Sequence, residues 1–270
     1  WTTQHLFRET LLVGGIVLAA FVAMDLFFHR RENGAPKIKD PTPDTRVRLR
    51  GLANLPLLAG VIGAILLSAA WKPGVAFTIA GVAVELQNLV RDIIILGLAG
   101  VSLVVTPREF RRANGFSWGP ILEVAKLFAG IFVCIVPVIA ILRAGMDGAL
   151  APLVSLVTNA DGTPSDMAYF WLTGGLSSFL DNAPTYLVFF ELAGGDPQVL
   201  MTTLGSTLVA ISAGAVFMGA NTYIGNAPNF IVYAIARHQG VRMPSFFGYM
   251  LWSGAVLVPT FLVCGLIFFG

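Results

Sequence analysis

Read from its N-terminus, the chain alternates long apolar runs with short polar punctuation. Runs of about 20 mostly apolar residues, the length a spanning helix needs, cover 9–28, 51–71, 86–106, 119–142 and 245–269. The third carries Arg91 and Asp92 near its start. Between the fourth and fifth, residues 165–238 are apolar too, but Asn-Ala-Pro interrupts them twice, at 182–184 and 226–228. The pattern predicts five ordinary spanning helices and, between the last two, a pair of interrupted elements. The fold class is therefore an all-α polytopic membrane protein.

Composition agrees. Of 270 residues, 56% are hydrophobic and 12% charged, about half the charged share of an ordinary soluble domain, and mean hydropathy is +0.78. A lipid bilayer is the expected partner, and a nucleic acid is not, because the net charge is only +2. Cys134 and Cys264 lie inside apolar runs with no partner cysteine or histidine nearby, so both read as small core hydrophobes and no cofactor is expected. The first run lacks the basic flank and small-residue cleavage site of a signal peptide. With no initiating Met, the chain reads as part of a longer protein.

Charge placement sets the expected topology, since short cytoplasmic loops collect Lys and Arg. Residues 29–50 hold seven of them, 107–117 hold Arg108, Arg111 and Arg112, and 237–244 hold Arg237 and Arg242. With those three loops on the cytoplasmic side, parity requires 165–192 to enter and leave on the outer side as a re-entrant hairpin. Residues 199–238 then cross once as a broken helix. Pro36, Pro41 and Pro43 among charges make 29–50 a flexible cytoplasmic linker.

The interrupted segment is self-similar. Ser178-Phe-Leu-Asp-Asn-Ala-Pro-Thr-Tyr186 aligns with Thr222-Tyr-Ile-Gly-Asn-Ala-Pro-Asn-Phe230 at an offset of 44 residues. Hydroxyl, aromatic and aliphatic positions match before the shared tripeptide, and a small polar and an aromatic residue after it. In hydrocarbon every unpaired backbone group costs several kcal/mol. Pro184 and Pro228 lack an N–H and disfavour helix at the residue before them, so each is expected to release carbonyls from a helical ladder. Asn182, Asn221, Asn226 and Asn229 supply donors and acceptors to meet them. The combination describes a polar cavity near mid-membrane, of the kind secondary transporters build from interrupted helices.

At these residues the sequence resembles the ion transporter superfamily. Within it, the Ser177-to-Thr185 and Gly219-to-Asn229 segments look like those of NhaD-type sodium/proton antiporters and the related citrate transporters (CitMHS-like). The resemblance is specific over residues 165–245. It implies one inverted repeat of a transporter in which a transport domain moves against a scaffold, within a homodimer. The family's tip motif falls on Ser177, Ser178, Asp181, Asn182, Pro184 and Thr185, and its broken-helix motif on Asn221, Thr222, Asn226, Pro228 and Asn229. With one hairpin and one broken helix, the chain is expected to be the C-terminal half, partnered by a missing N-terminal half. Residues 1–28 would then be the last helix of the N-terminal half and 29–50 the linker. Residues 51–145 would be scaffold helices, 146–244 the transport part and 245–270 the final helix, in a bacterial cytoplasmic membrane.

Charges deep in a membrane default to functional candidates. Asp181, beside an amide and between hydroxyls, has the oxygen chemistry to hold Na⁺ transiently. H⁺ and Na⁺ competing for that carboxylate would suffice for antiport, the leading expectation. The alternative role for Asp181 is a helix cap. Glu123 and Lys126, three residues apart on one predicted helix, form a possible coupling pair. A cation-coupled carrier of citrate or another organic anion is the alternative function, because the motifs supply amides, hydroxyls and helix N-termini. An intramembrane protease is disfavoured: Ser177 and Ser178 have no membrane histidine, and Asp181 has no second aspartate at its depth. A channel fits less well, since no repeated charged ring is present.

Overall fold

The computed structural model describes residues 1–31, 51–79, 82–238 and 240–270. In chain order the elements are α1 (Thr2–His5), α2 (Phe7–Arg31), α3 (Asn54–Ala70), β1 (Ala76–Ile79), β2 (Val82–Glu85), α4 (Leu86–Val105) and α5 (Arg108–Ala113). There follow α6 (Gly119–Arg143), α7 (Ala151–Leu156), α8 (Asp166–Ser177), α9 (Asn182–Leu192), α10 (Pro197–Met201), α11 (Gly205–Met218), α12 (Ala227–His238) and α13 (Phe246–Phe268). Single 3-10 turns occupy Gly145–Asp147 and Gly219–Asn221. Among the described residues α2, α4 and α13 are long and apolar enough to cross a membrane. The chain is mostly helical and forms two compact units, one of residues 1–36 with 125–270, the other of residues 37–124.

In the larger unit α11 lies at the centre. Its residues are mostly small and apolar, as in a helix packed on most of its faces; Thr207 through Ala215 and Met218 are buried, while Val216 is exposed. α8 packs along it at very short range. A side chain on Gly214 would collide with the Phe170 carbonyl of α8, and one on Gly174 with the Met218 thioether; small residues permit such backbone approach between membrane helices. Around this pair lie Phe189 of α9, Phe261 and Cys264 of α13 and Val13 of α2, all buried. Polar residues start the helices. The Asp181 carboxylate accepts from the Ala183 N–H, Asp196 from Gln198 and Val199, and Ser245 from Gly248, each meeting donors that a helix start leaves orphaned.

The 165–192 segment is helix, turn, helix. At 1.5 Å per residue, α8 and α9 are about 18 and 17 Å long, each short of the roughly 30 Å hydrocarbon. The 199–238 segment breaks twice, at 202–204 and at 222–226. The prolines act differently from the sequence expectation. Pro184 and Pro228 lie in the first turns of α9 and α12, where no N–H is required. They start helices, and the breaks precede them.

In the smaller unit α3 packs along α4. Asn54 ties them together: its Nδ2 donates to Thr106 Oγ1 (2.9 Å), and its Oδ1 accepts from Ser102 Oγ (2.7 Å). The all-α expectation needs one correction, because β1 and β2 form an antiparallel pair with Phe77 opposite Val84 and Ile79 opposite Val82. Their β-branched and aromatic residues favour strands, yet so short an apolar run has no period that separates strand from helix. Arg91 pairs with its neighbour Asp92 at 2.8 Å. Most of the basic linker, 32–50, lies outside the described residues.

Candidate functional site

α8 ends on two serines whose hydroxyls turn inward. Ser177 Oγ donates to the Ala215 carbonyl of α11 at 2.6 Å. Ser178 Oγ lies 2.9 Å from the Gly174 carbonyl and 3.0 Å from that of Met218, sharing its proton between them. Phe179 and Leu180 then turn outward at the tip. Asn182 follows at the start of α9, with its amide nitrogen facing the Ala215 carbonyl (2.9 Å), Ser177 Oγ (3.0 Å) and the Gly225 carbonyl (3.2 Å). That orientation is assigned from its surroundings, which are acceptors. The Thr185 hydroxyl donates back to the Asp181 carbonyl at 3.0 Å.

The second segment locks onto the first. Asn221 Nδ2 donates to Ser178 Oγ at 3.0 Å, and Thr222 Oγ1 donates to the Ser178 carbonyl. Thr222 Oγ1 also accepts from the Gly225 N–H at 3.0 Å. Asn226 caps α12, its Oδ1 accepting from the Asn229 N–H at 2.9 Å. The two tripeptides therefore play shifted roles. In the first, Asp181 caps and Asn182 reaches across; in the second, Gly225 stands where the aspartate was and the asparagine itself becomes the cap.

The backbone accounting explains why so many polar residues occupy an apolar stretch. Where α11 and its 3-10 turn end, side chains donate to five successive carbonyls. Ser178 donates to Met218, Asn229 to both Gly219 and Thr222 (3.1 Å each), Tyr249 to Ala220 (2.9 Å) and Ser253 to Asn221 (2.7 Å). Tyr249 and Ser253 come from α13, which the apolar pattern presented as a plain span. Their signal was there to find: they lie four apart, on one face of an otherwise apolar helix.

Of the expected site residues, Ser177, Ser178, Asn182, Asn221, Thr222, Asn226 and Asn229 form this one network. Thr185 joins the Asp181 backbone, and Pro184 and Pro228 set the helix starts. Asp181 stands apart by its carboxylate, whose Oδ1 accepts from the Ala183 N–H at 3.2 Å in an exposed setting. Glu123 and Lys126 lie on α6, and the side chain of Glu123 is outside the described residues. Among the described residues no group of three or more His, Cys, Asp or Glu could hold a metal.

Two groups in the network are left for something else. The start of α9 meets the stretch just before α12 where the Asn182 amide faces the Gly225 carbonyl, which sets two positive helix ends near each other. Asn221 Oδ1 is buried without a donor, an acceptor whose desolvation nothing offsets. The site thus offers helix N-termini to an anion and an unpaired carbonyl oxygen to a cation. No curated protein and no solved structure matches the chain. The model of the family described as putative citrate transport matches residues 1–269; the chain belongs to that family, and is a multi-pass membrane transporter rather than an enzyme.

Proposed function

We propose that the protein carries citrate or a closely related organic anion, coupled to a cation, with the two Asn-Ala-Pro segments as its site. The observation that carries the reading is the contact of Asn182, at the start of α9, with Gly225, two residues before α12. Dipoles of that sense favour a carboxylate. Asp181, one residue before α9, opposes an anion until a cation neutralises it, so coupling follows from the charge of the site. Asn221 Oδ1 is the oxygen we assign to Na⁺, and the Asp181 carboxylate is the charge that a bound cation offsets. Family membership supports this reading over sodium/proton antiport, the leading expectation from sequence.

In the same reading α8 and α9 form a re-entrant hairpin, and 199–238 is the broken helix of one inverted repeat. Its counterpart and a homodimeric scaffold complete the carrier, in a bacterial cytoplasmic membrane. The test is uptake of radiolabelled citrate into proteoliposomes under an imposed Na⁺ or pH gradient, with a pH-sensitive dye inside. Citrate accumulation that needs either gradient, and falls at least tenfold in Asn182→Ala, is the expected result. Sodium-driven proton movement without citrate uptake would restore antiport and sink the anion reading.

A further inference from the structure

Outside this site the smaller unit carries a second built concavity. Leu103, Arg108, Arg111, Arg112, Phe116 and Trp118 line an open depression of about 440 Å³ where α4 ends. The sequence builds it in one stroke. α5 closes with Asn114 at its C-cap and Gly115 at φ +63°. The Gly115 N–H then reaches the Arg112 carbonyl (3.0 Å) and the Phe116 N–H the Arg111 carbonyl (2.9 Å), the paired bonds of a Schellman motif. That left-handed turn, which suits glycine, brings Phe116 and Trp118, themselves in edge contact, round to the arginines. Arg111 is half-buried and anchored, its Nη1 donating to the Leu103 carbonyl at 2.7 Å. The one ion pair among the described residues joins Arg91 to Asp92, so none of these three guanidiniums is neutralised by a described carboxylate.

We propose that this concavity seats the headgroup phosphate of an anionic phospholipid. Guanidiniums bind phosphate through paired N–H donors, and an indole beside them suits the headgroup level of a bilayer. The neighbouring surface supplies the place for acyl chains. α4 is long and apolar enough to span, and Leu96, Val101, Val104 and Val105 along its final turns are exposed, Val104 at 87%. A free anion would use the arginines alone; a phospholipid uses the arginines, the aromatic pair and the apolar flank together, which is why the lipid is the assigned ligand. The inference does not depend on the transported substrate.

Native mass spectrometry of the whole protein, released from nanodiscs of phosphatidylglycerol and phosphatidylcholine mixed equally, tests it. The wild type is expected to retain phosphatidylglycerol over phosphatidylcholine by roughly a hundredfold, the scale of three interfacial cations acting together. Arg108→Gln/Arg111→Gln/Arg112→Gln should abolish that preference, while the all-Lys variant keeps charge without the paired donors and should retain only part. Trp118→Ala, which leaves every charge in place, should also weaken retention severalfold. Equal retention of both lipids by the wild type, or an undiminished preference in the triple Gln variant, overturns the proposal. Displacement of the bound lipid by millimolar inorganic phosphate would make this a free-anion site, and overturns it too.

Discussion

At the scale of single residues, Asp181 separates two roles that sequence leaves superimposed. As a cap it accepts the Ala183 N–H, and asparagine caps about as well as aspartate. In coupling to a cation its charge is what counts. Asp181→Asn should therefore leave thermal unfolding in detergent within about 0.5 kcal/mol of wild type, yet flatten the dependence of citrate uptake on Na⁺ or pH. An unchanged cation dependence would assign Asp181 to capping alone. The α13 donors make the opposite prediction. Tyr249→Phe and Ser253→Ala each strand a carbonyl, of Ala220 and Asn221 respectively, and should each destabilise by about 1–3 kcal/mol. Their Tm should fall clearly, measured beside Ser155→Ala, whose hydroxyl returns only to the Pro152 carbonyl on an exposed helix.

At the scale of elements, contact between α8 and α11 depends on having no side chain at Gly214. Gly214→Val must push the Phe170 carbonyl away, and overpacking of this kind costs about 1–3 kcal/mol. Gly97→Ala on α4 meets open space and should cost nothing, or add up to about 1 kcal/mol through helix propensity; chemical unfolding of the pair reads the contrast. Elements were also where sequence and structure diverged. The span limits 9–28, 86–106 and 245–269 fall close to α2, α4 and α13, because a long apolar run admits few alternatives in a membrane protein. The β1–β2 pair stayed hidden because four-residue strands have too little pattern to recognise. The candidate motif was legible since it repeats, and a repeated Asn-Ala-Pro in apolar surroundings has a physical cost that hydrogen bonding meets. What the repeat could not disclose was the partner of each polar group. The pairing of Ser177 with Ala215 is set by how α8 lies on α11, and the donors from α13 are far from the motif in sequence. Proline follows the same logic: its identity tells that a helix breaks nearby, and only the backbone places the break on its N-terminal side.

At the scale of the whole molecule, the proposed anion and cation share one short stretch of chain. Residues 218–222 follow the C-terminal end of α11 and carry the unpaired Asn221 Oδ1, and 226–229 open the positive end of α12. Any ligand that orders this stretch orders it for the other. Binding of the two is then linked, and linkage is reciprocal: if Na⁺ tightens citrate by some factor, citrate must tighten Na⁺ by the same factor. Couplings of this kind usually run to about 5–150-fold. Calorimetric titration of the detergent-solubilised protein with citrate, at zero and saturating Na⁺, gives one factor, and titration with Na⁺ at zero and saturating citrate gives the other. The expected result is a pair of equal factors above fivefold in wild type that shrink together in Asn221→Ala, where the unpaired oxygen is gone. Tight citrate binding with no response to Na⁺ would remove Na⁺ as the coupling ion, and repeating the cycle with pH in place of Na⁺ would then show whether a proton takes its place.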